Sequence, residues 1–170
     1  MTFEKKGVVL NLGAGGAWDD VLVDSSTVVV RDGQVWLYYT GYDGSNYRIG
    51  LAVSKDGLTF EKKGIVLDLG AGGAWDDVRV YYPTVAVRDG RVWLYYTGYD
   101  GSNYRTGLAV SKDGLTFEKK GIVLDLGAGG AWDDVLVYSS TVAVRDGRVW
   151  LYYTGYDGSK YRTGLAVSKD

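Results

Sequence analysis

The side chains that could perform chemistry in this sequence are carboxylates, tyrosines, lysines and arginines, because it contains neither cysteine nor histidine. Disulfides and thiolate metal sites are therefore excluded, and the commonest general base is absent. Paired carboxylates follow a tryptophan three times, and their first members are Asp19, Asp76 and Asp133. Carboxylates at a channel mouth would bind sugar hydroxyls or a hard cation. In a turn, one carboxylate of each pair would instead accept hydrogen bonds from backbone N–H groups while the other is solvated.

These pairs recur because the chain is a tandem repeat. The sequence Thr-Phe-Glu-Lys-Lys-Gly begins at Thr2, Thr59 and Thr116, which gives a period of 57 residues. The repeats are 2–58, 59–115 and 116–170, and together they form a single repeat domain. The second and third repeats differ at only four positions over 59–113 and 116–170. Such uniformity indicates engineered or recently duplicated units.

The positions at which the repeats disagree are the most informative for function. Leu22, Asp24, Ser25 and Ser26 correspond to Arg79, Tyr81, Tyr82 and Pro83, and to Leu136, Tyr138, Ser139 and Ser140. These positions begin the innermost strand of each unit, which we expect to face a central channel. There Asp24 supplies a carboxylate, Arg79 contacts an anion or hydroxyl, and Tyr81, Tyr82 and Tyr138 stack on or hydrogen-bond to a sugar. The alternative is that these differences are residue variation left over from a parent protein or a library, which a hydrated channel tolerates.

Each repeat predicts four β-strands separated by turns. In the second repeat the strands run over about 78–88, 91–97, 104–111 and 116–126. The dipeptides Asp89-Gly90 and Asp113-Gly114 are suited to tight hairpin turns because both residue types accept positive φ. The second strand is apolar on both faces, which is typical of a strand packed between two neighbouring sheets. The periodic Trp36, Trp93 and Trp150 are expected to fill the space between sheets.

The whole of each repeat resembles a blade of the five-bladed β-propeller glycoside hydrolases, a superfamily that includes arabinanases, xylosidases and mannoside phosphorylases. Gly-Gly-Ala-Trp-Asp-Asp-Val, Tyr-Pro-Thr-Val-Ala-Val-Arg-Asp-Gly and Val-Trp-Leu-Tyr-Tyr-Thr-Gly carry this resemblance. The resemblance implies carboxylates from different blades around a central pocket. It also implies a catalytic aspartate immediately before the position of Pro83, and Asp24 is displaced from that position by one residue. The segment beginning Ser54-Lys55-Asp56 is similar to the turn-stabilising Asp-box of sialidase-type propellers, although Gly57 follows Asp56 directly.

The fold class expected is therefore all-β, a β-propeller with three four-stranded blades per chain. The chain begins with a fourth strand, residues 2–12, and stops after a third strand, so the N-terminal strand is expected to complete a blade that lacks one. Three blades are too few to close a ring. We therefore expect a homo-oligomer, most simply a C2 dimer that forms a six-bladed ring, with a three-chain ring as the alternative.

Charge and hydropathy restrict the partners. The 19 basic and 21 acidic residues give a net charge of −2, so we expect neither nucleic acid nor membrane as a partner. Small sugars are the remaining candidates besides the chain itself, and no cofactor or metal is expected. No targeting segment is recognisable, so the protein is expected to be soluble and cytoplasmic.

Near-identical blades place near-identical carboxylates in equivalent surroundings, whereas a glycosidase needs carboxyl groups that differ in pKa. The sequence therefore favours an artificial or ancestral-like, symmetric, self-assembling scaffold with no catalytic residues and no enzymatic activity. The alternatives are a carbohydrate-binding propeller that uses the channel and a residual glycoside hydrolase.

Overall fold

The fold of residues 1–169, the part of the chain that the computed structural model describes, is built on eleven β-strands. In chain order these are β1 (Leu22–Arg31), β2 (Gln34–Tyr42), β3 (Tyr47–Ser54), β4 (Glu61–Leu67), β5 (Arg79–Arg88), β6 (Arg91–Tyr99), β7 (Tyr104–Ser111), β8 (Glu118–Leu124), β9 (Leu136–Arg145), β10 (Arg148–Tyr156) and β11 (Tyr161–Val167). Within these residues no helix is long and apolar enough to cross a membrane.

The strands form three antiparallel units, β1–β4, β5–β8 and β9–β11, in which consecutive strands pair. Strand pairing between neighbouring units is limited to a single parallel pair of residues, Tyr47 with Arg79 and Tyr104 with Leu136. One end of each third strand therefore lies beside the start of the next first strand, and the whole sheet curls. The expected all-β, propeller-like fold is confirmed, while the number of blades in a ring and its closure by oligomerisation stay predictions.

Local turn chemistry sets the strand boundaries much as the sequence predicts. Asp89 and Gly90 join β5 to β6 with φ values of 51° and 71°, which is the conformation of a tight turn between twisted strands. After the third strand, Asp56 accepts hydrogen bonds from the N–H groups of Leu58 and Thr59, both at 2.8 Å. These bonds lower the pKa of Asp56 to about 2. The predicted turn-stabilising role of this aspartate is thus confirmed.

The core lies between units because the central strand of each unit is apolar on both faces. Tyr38 and Leu51 from the first unit pack with Leu94 and Tyr96 from the second, and all four are almost fully buried. A smaller cluster forms in the same way between the second and third units, where Tyr95 contacts residues around Leu151. Packing between units therefore buries apolar side chains at both of the unit interfaces within residues 1–169.

The expected N-terminal strand is not formed within one chain. Residues 2–12, which we call the N-terminal segment, contain no paired strand. Phe3 is 91% exposed, and near the end of the segment Leu10 packs against the first unit. A β-strand needs a neighbouring strand to satisfy its backbone N–H and C=O groups. β4 pairs with β3 and β8 pairs with β7, but the N-terminal segment has no such neighbour within residues 1–169.

Candidate functional site

The candidate site is a cavity of about 310 Å³ at the end of the sheet where the first strands begin. The same topology repeats three times, so equivalent residues converge there from different units. Its lining consists of aromatic, aliphatic and charged side chains, namely Leu22, Asp24, Tyr47, Arg79, Tyr81, Tyr82, Tyr104, Leu136, Tyr138 and Tyr161. Five of the predicted channel residues, Asp24, Arg79, Tyr81, Tyr82 and Tyr138, are therefore brought together in one cavity.

A β-bulge in each first strand shapes the cavity wall. The pairing register shifts between Asp24 and Thr27 in β1 and between Tyr81 and Thr84 in β5. Tyr82 within the second bulge has a φ of 51°, a left-handed conformation that bulky residues rarely adopt. Its N–H donates to Thr40 Oγ1 of the neighbouring unit at 3.1 Å, so packing between units holds it there. Bulges of this kind redirect side chains next to functional sites.

The tyrosines of the cavity form a continuous aromatic surface. The ring centroids of Tyr81 and Tyr82 are 4.5 Å apart, and those of Tyr82 and Tyr138 are 5.9 Å apart. Burial raises the pKa of Tyr81, and burial together with the charge of Asp24 raises the pKa of Tyr82. Both phenols therefore stay protonated at neutral pH. They can stack on a sugar ring and donate hydrogen bonds to its hydroxyls.

Arg79 supplies the positive charge of the cavity. Its guanidinium carbon lies 5.4 Å from the ring centroid of Tyr47 and 5.3 Å from that of Tyr99. These cation–π contacts orient the planar group between two rings. Within residues 1–169 neither Arg79 nor Asp24 takes part in a salt bridge. The hydrogen-bonding capacity of this carboxylate and this guanidinium is therefore available to a ligand.

Asp19, Asp76 and Asp133 lie outside this cavity, which corrects the expectation that they contribute to the ligand surface of the channel. Each is buried and accepts a hydrogen bond from the hydroxyl of a central-strand tyrosine, which for Asp76 is Tyr96 at 2.9 Å. Asp19 and Asp76 also form ion pairs with Lys62 and Lys119. The tyrosine hydroxyl, and for Asp19 and Asp76 also the lysine ammonium, contact Oδ2 of the carboxylate, so these contacts tie the end of each glycine-rich loop to a central strand.

The second member of each carboxylate pair has the turn-capping role that the sequence offered as an alternative. Asp20 and Asp77 accept hydrogen bonds from the N–H groups of Gly16 and Gly73, both at 2.7 Å. The predicted solvated partner is buried instead, because the tyrosine hydroxyl and the lysine ammonium replace water. Residues 1–169 contain no cluster of three or more carboxylates arranged to hold a metal ion.

Tyr47, Tyr104 and Tyr161 also line the cavity, and sequence reasoning missed them. They occupy the same position in every repeat, whereas the prediction relied on positions at which the repeats differ. The usable signal was their location at the start of each third strand. Parallel contact between units brings that end of the strand beside the variable first strand.

Comparison with known proteins gives one family match and one curated relative. The sequence model of the family described as beta-1,4-mannooligosaccharide phosphorylase matches residues 19–128. The 1,2-beta-oligomannan phosphorylase of Thermoanaerobacter sp. (strain X514) is 29% identical over 124 residues, which cover 66% of this chain and 41% of that protein.

Solved structures share the fold. Zg3597, a family 117 glycoside hydrolase from the marine bacterium Zobellia galactanivorans, superposes with a TM-score of 0.84 at 19% identity, over 96% of this chain and 57% of its own. A second solved structure superposes with a TM-score of 0.65 at 18% identity. Its description says that the GH130 family of mannoside phosphorylases contains glycoside hydrolases that target beta-1,2 mannosidic linkages in Candida mannan. That likeness covers 86% of this chain and 50% of the other. The chain thus spans about half the length of the proteins it matches.

Proposed function

Because this chain belongs to glycoside hydrolase family 130, whose sequence model is described as a beta-1,4-mannooligosaccharide phosphorylase, we propose that its cavity binds a β-mannoside and cleaves it with inorganic phosphate. The proposal extends to this chain an activity named for proteins of which it spans about half the length.

Family membership overturns the expectation of an artificial or ancestral-like scaffold without enzymatic activity. That expectation rested on the near-identity of the repeats, which seemed to leave no differentiated carboxylate. The structure gives the physical reason why the inference fails. The framework strands repeat, but the residues that differ between the repeats, among them Asp24 and Arg79, line one cavity. Asymmetry in the cavity is therefore compatible with uniformity in the framework.

The observation that carries the proposal is the pairing of one carboxylate with one guanidinium in an aromatic cavity. Among the described residues that line it, Asp24 is the one carboxylate and Arg79 the one cation. Direct hydrolysis requires two carboxyl groups, one as acid and one as base or nucleophile. Phosphorolysis requires one fewer, because phosphate is already an anionic nucleophile. The lining therefore favours phosphorolysis over hydrolysis.

In the proposed reaction the carboxyl group of Asp24 transfers a proton to the glycosidic oxygen as the bond between that oxygen and the anomeric carbon breaks. A phosphate oxygen forms the new bond to the anomeric carbon, and Arg79 holds the phosphate through its N–H groups. The products are a sugar 1-phosphate and a mannoside shortened by one residue. The proton carried in by hydrogen phosphate then restores the Asp24 carboxyl group, so the step is balanced.

The tyrosines supply binding and orientation. Tyr81, Tyr82 and Tyr138 present ring faces and hydroxyl groups on one wall, which suits a pyranose with an apolar face and a rim of hydroxyls. This wall alone would also serve a protein that binds mannosides without cleaving them. Turnover distinguishes the two functions.

The test is to incubate the protein with β-1,4- and β-1,2-linked mannobiose in phosphate buffer and to measure mannose 1-phosphate and mannose. We expect mannose 1-phosphate whose rate rises with phosphate concentration. Asp24→Asn removes the proton donor and should lower kcat by about 10²-fold to 10⁴-fold. Arg79→Met should raise the KM for phosphate more than the KM for mannobiose.

Asp32→Asn is the matched control, because this exposed turn aspartate lies outside the cavity and asparagine also accepts its φ of 51°. It should leave the rate unchanged. Free mannose released independently of phosphate would refute phosphorolysis in favour of hydrolysis. Calorimetric binding of mannobiose with no product of either kind would reduce the function to sugar binding, and absence of both binding and turnover would refute the proposal altogether.

A further inference from the structure

The outer edge of β11 has no strand on it within residues 1–169, whereas β4 covers the equivalent edge of β3 and β8 that of β7. The N-terminal segment has the sequence of such a covering strand but pairs with no strand of residues 1–169. We propose that the N-terminal segment of one copy pairs with β11 of a second copy, so that two chains close one ring of six units. This inference does not rest on the proposed catalytic activity.

The two internal strands provide the template for the pairing. In the first unit, Glu61 lies opposite Val53 and Lys62 opposite Ala52. The equivalent positions place Glu4 opposite Val167 of the second copy. At the one glycine that the two strands share, the backbone conformation already agrees, since Gly7 has a φ of 91°, as Gly64 does within β4.

The buried carboxylate of Asp133 indicates which lysine of the second copy's N-terminal segment should bind there. Asp19 pairs with Lys62 of the strand that covers its own unit, and Asp76 pairs in the same way with Lys119. Asp133 is equally placed, is 8% exposed and accepts a hydrogen bond from Tyr153, but no lysine of residues 1–169 contacts it. Lys5 is the lysine equivalent to Lys62 and Lys119. A buried carboxylate with a vacant cation position complements the positive charge of this segment.

An apolar cavity identifies the place of the aromatic side chain. Phe117, the residue directly before β8, packs edge-on against Tyr38 of the preceding unit, with ring centroids 5.8 Å apart. Between the second and third units the equivalent space beside Tyr95 is a cavity of about 280 Å³, whose other walls include Leu108 and Leu151. Phe3 of the second copy is the residue equivalent to Phe117, and it is 91% exposed in a single chain.

The faces at the two ends of the sheet are also complementary. Tyr38 is fully buried against the second unit, but its equivalent Tyr152 on the outer face of the third unit is 43% exposed. At the opposite end, Val28 of the first unit is 55% exposed, although its equivalent Val85 is 9% exposed. These are the two halves of the interface that already joins the first unit to the second. A second copy would bury both.

Pairing between copies follows from the order of the strands. β1 and β11 are at opposite ends of the sheet, and the N-terminal segment packs near the β1 end through Leu10. Closed propellers have four or more blades, so three units cannot bring their own ends together. Two copies related by a twofold axis would exchange segments reciprocally and leave no open edge.

Closure would also complete the cavity of the candidate site. Tyr47 and Tyr104 are half-buried because the first residue of the next unit, Arg79 or Leu136, lies beside each of them. Tyr161 is 60% exposed because no such residue covers it in one chain. Leu22 of the second copy is the equivalent neighbour. The second copy would therefore contribute a residue to each cavity.

The decisive experiment uses two single-cysteine variants of this cysteine-free chain, Glu4→Cys and Val167→Cys, which are purified apart and mixed under mild oxidation. Pairing between copies predicts a disulfide-linked heterodimer as the main product. Mixing Glu4→Cys with Ser45→Cys, an exposed loop position, is the control and should give at most trace product. A variant that carries both Glu4→Cys and Val167→Cys is oxidised at high dilution, and if it cross-links within one chain the proposal is wrong.

The native mass and one lysine substitution complete the test. Light scattering should give twice 18.5 kDa, and Lys5→Met should raise the dimer dissociation constant by tenfold or more, because it leaves Asp133 unpaired. Lys6→Met is the control, since Lys6 pairs with exposed Glu4, and should change the constant less than threefold. A monomeric mass would overturn the proposal in favour of a covering strand from outside residues 1–170, and a three-copy mass would overturn the two-copy ring.

Discussion

Replacing Asp76 with alanine should reveal what the buried carboxylates contribute to the fold. Asp76 accepts a hydrogen bond from the Tyr96 hydroxyl at 2.9 Å and pairs with Lys119 at 2.7 Å. Tyr96 is fully buried and its pKa is raised, first by burial and then by Asp76, so its hydroxyl stays a donor. The substitution leaves that hydroxyl in the core without its acceptor.

The expected loss of stability combines two effects. A hydrogen bond to a charged acceptor contributes about 1.5–3 kcal/mol. The Lys119 side chain is 28% exposed, so its ammonium can turn to water and the lost ion pair adds no more than about 1 kcal/mol. We therefore expect Asp76→Ala to lower the free energy of unfolding by about 1.5–4 kcal/mol.

Urea unfolding measured by tryptophan fluorescence provides the assay, with the slope of free energy against urea checked for constancy. Asp77→Ala is the comparison, because it removes one turn hydrogen bond from Gly73 and should lower stability by only about 1 kcal/mol. Tyr96→Phe in both backgrounds completes a double-mutant cycle. A loss below about 1 kcal/mol for Asp76→Ala, or no coupling between Asp76 and Tyr96, would refute the reasoning.

Two further predictions concern packing and pH. A Cβ on Gly98 would lie within 3 Å of the Trp75 ring, so Gly98→Ala should lower the thermal unfolding temperature by an amount equivalent to about 1–3 kcal/mol. Gly72→Ala is the control, because a Cβ there meets open space and should leave the unfolding temperature unchanged. Equal unfolding temperatures for the two variants would contradict this prediction. The N–H of Asn103 and the guanidinium of Arg105 lower the pKa of Asp100 from 3.8 to about 2, so its stabilising contribution is complete above about pH 4 and is lost as the pH falls toward 2. NMR titration should find this low value, and a midpoint near 3.8 would contradict it.

Strands, turns and the repeat were predictable because they depend on short stretches of sequence. The predicted third strand over 104–111 coincides with β7, and the predicted Asp89-Gly90 turn has the expected positive φ values. The predicted first strand over about 78–88 differs from β5 by one residue. The N-terminal strand over residues 2–12 stays a prediction, since the segment has strand-like sequence and is unpaired within residues 1–169.

The candidate site was predictable only where the repeats differ. Those differences marked Asp24, Arg79, Tyr81, Tyr82 and Tyr138, and all five line the cavity. The same uniformity that made the differences visible concealed the invariant third-strand tyrosines. It also suggested a scaffold without activity, an expectation that the family match contradicts.

The sequence by itself determined the 57-residue period, the order of strands and the positions of the turns, because backbone preferences and apolar alternation act over a few residues. Only the tertiary structure decided which polar groups face solvent. Asp76 and Asp77 are neighbours in the chain, yet one is buried on Tyr96 and the other caps a loop. Such a choice depends on contacts between strands some twenty residues apart, where desolvation and pairing outweigh local propensity.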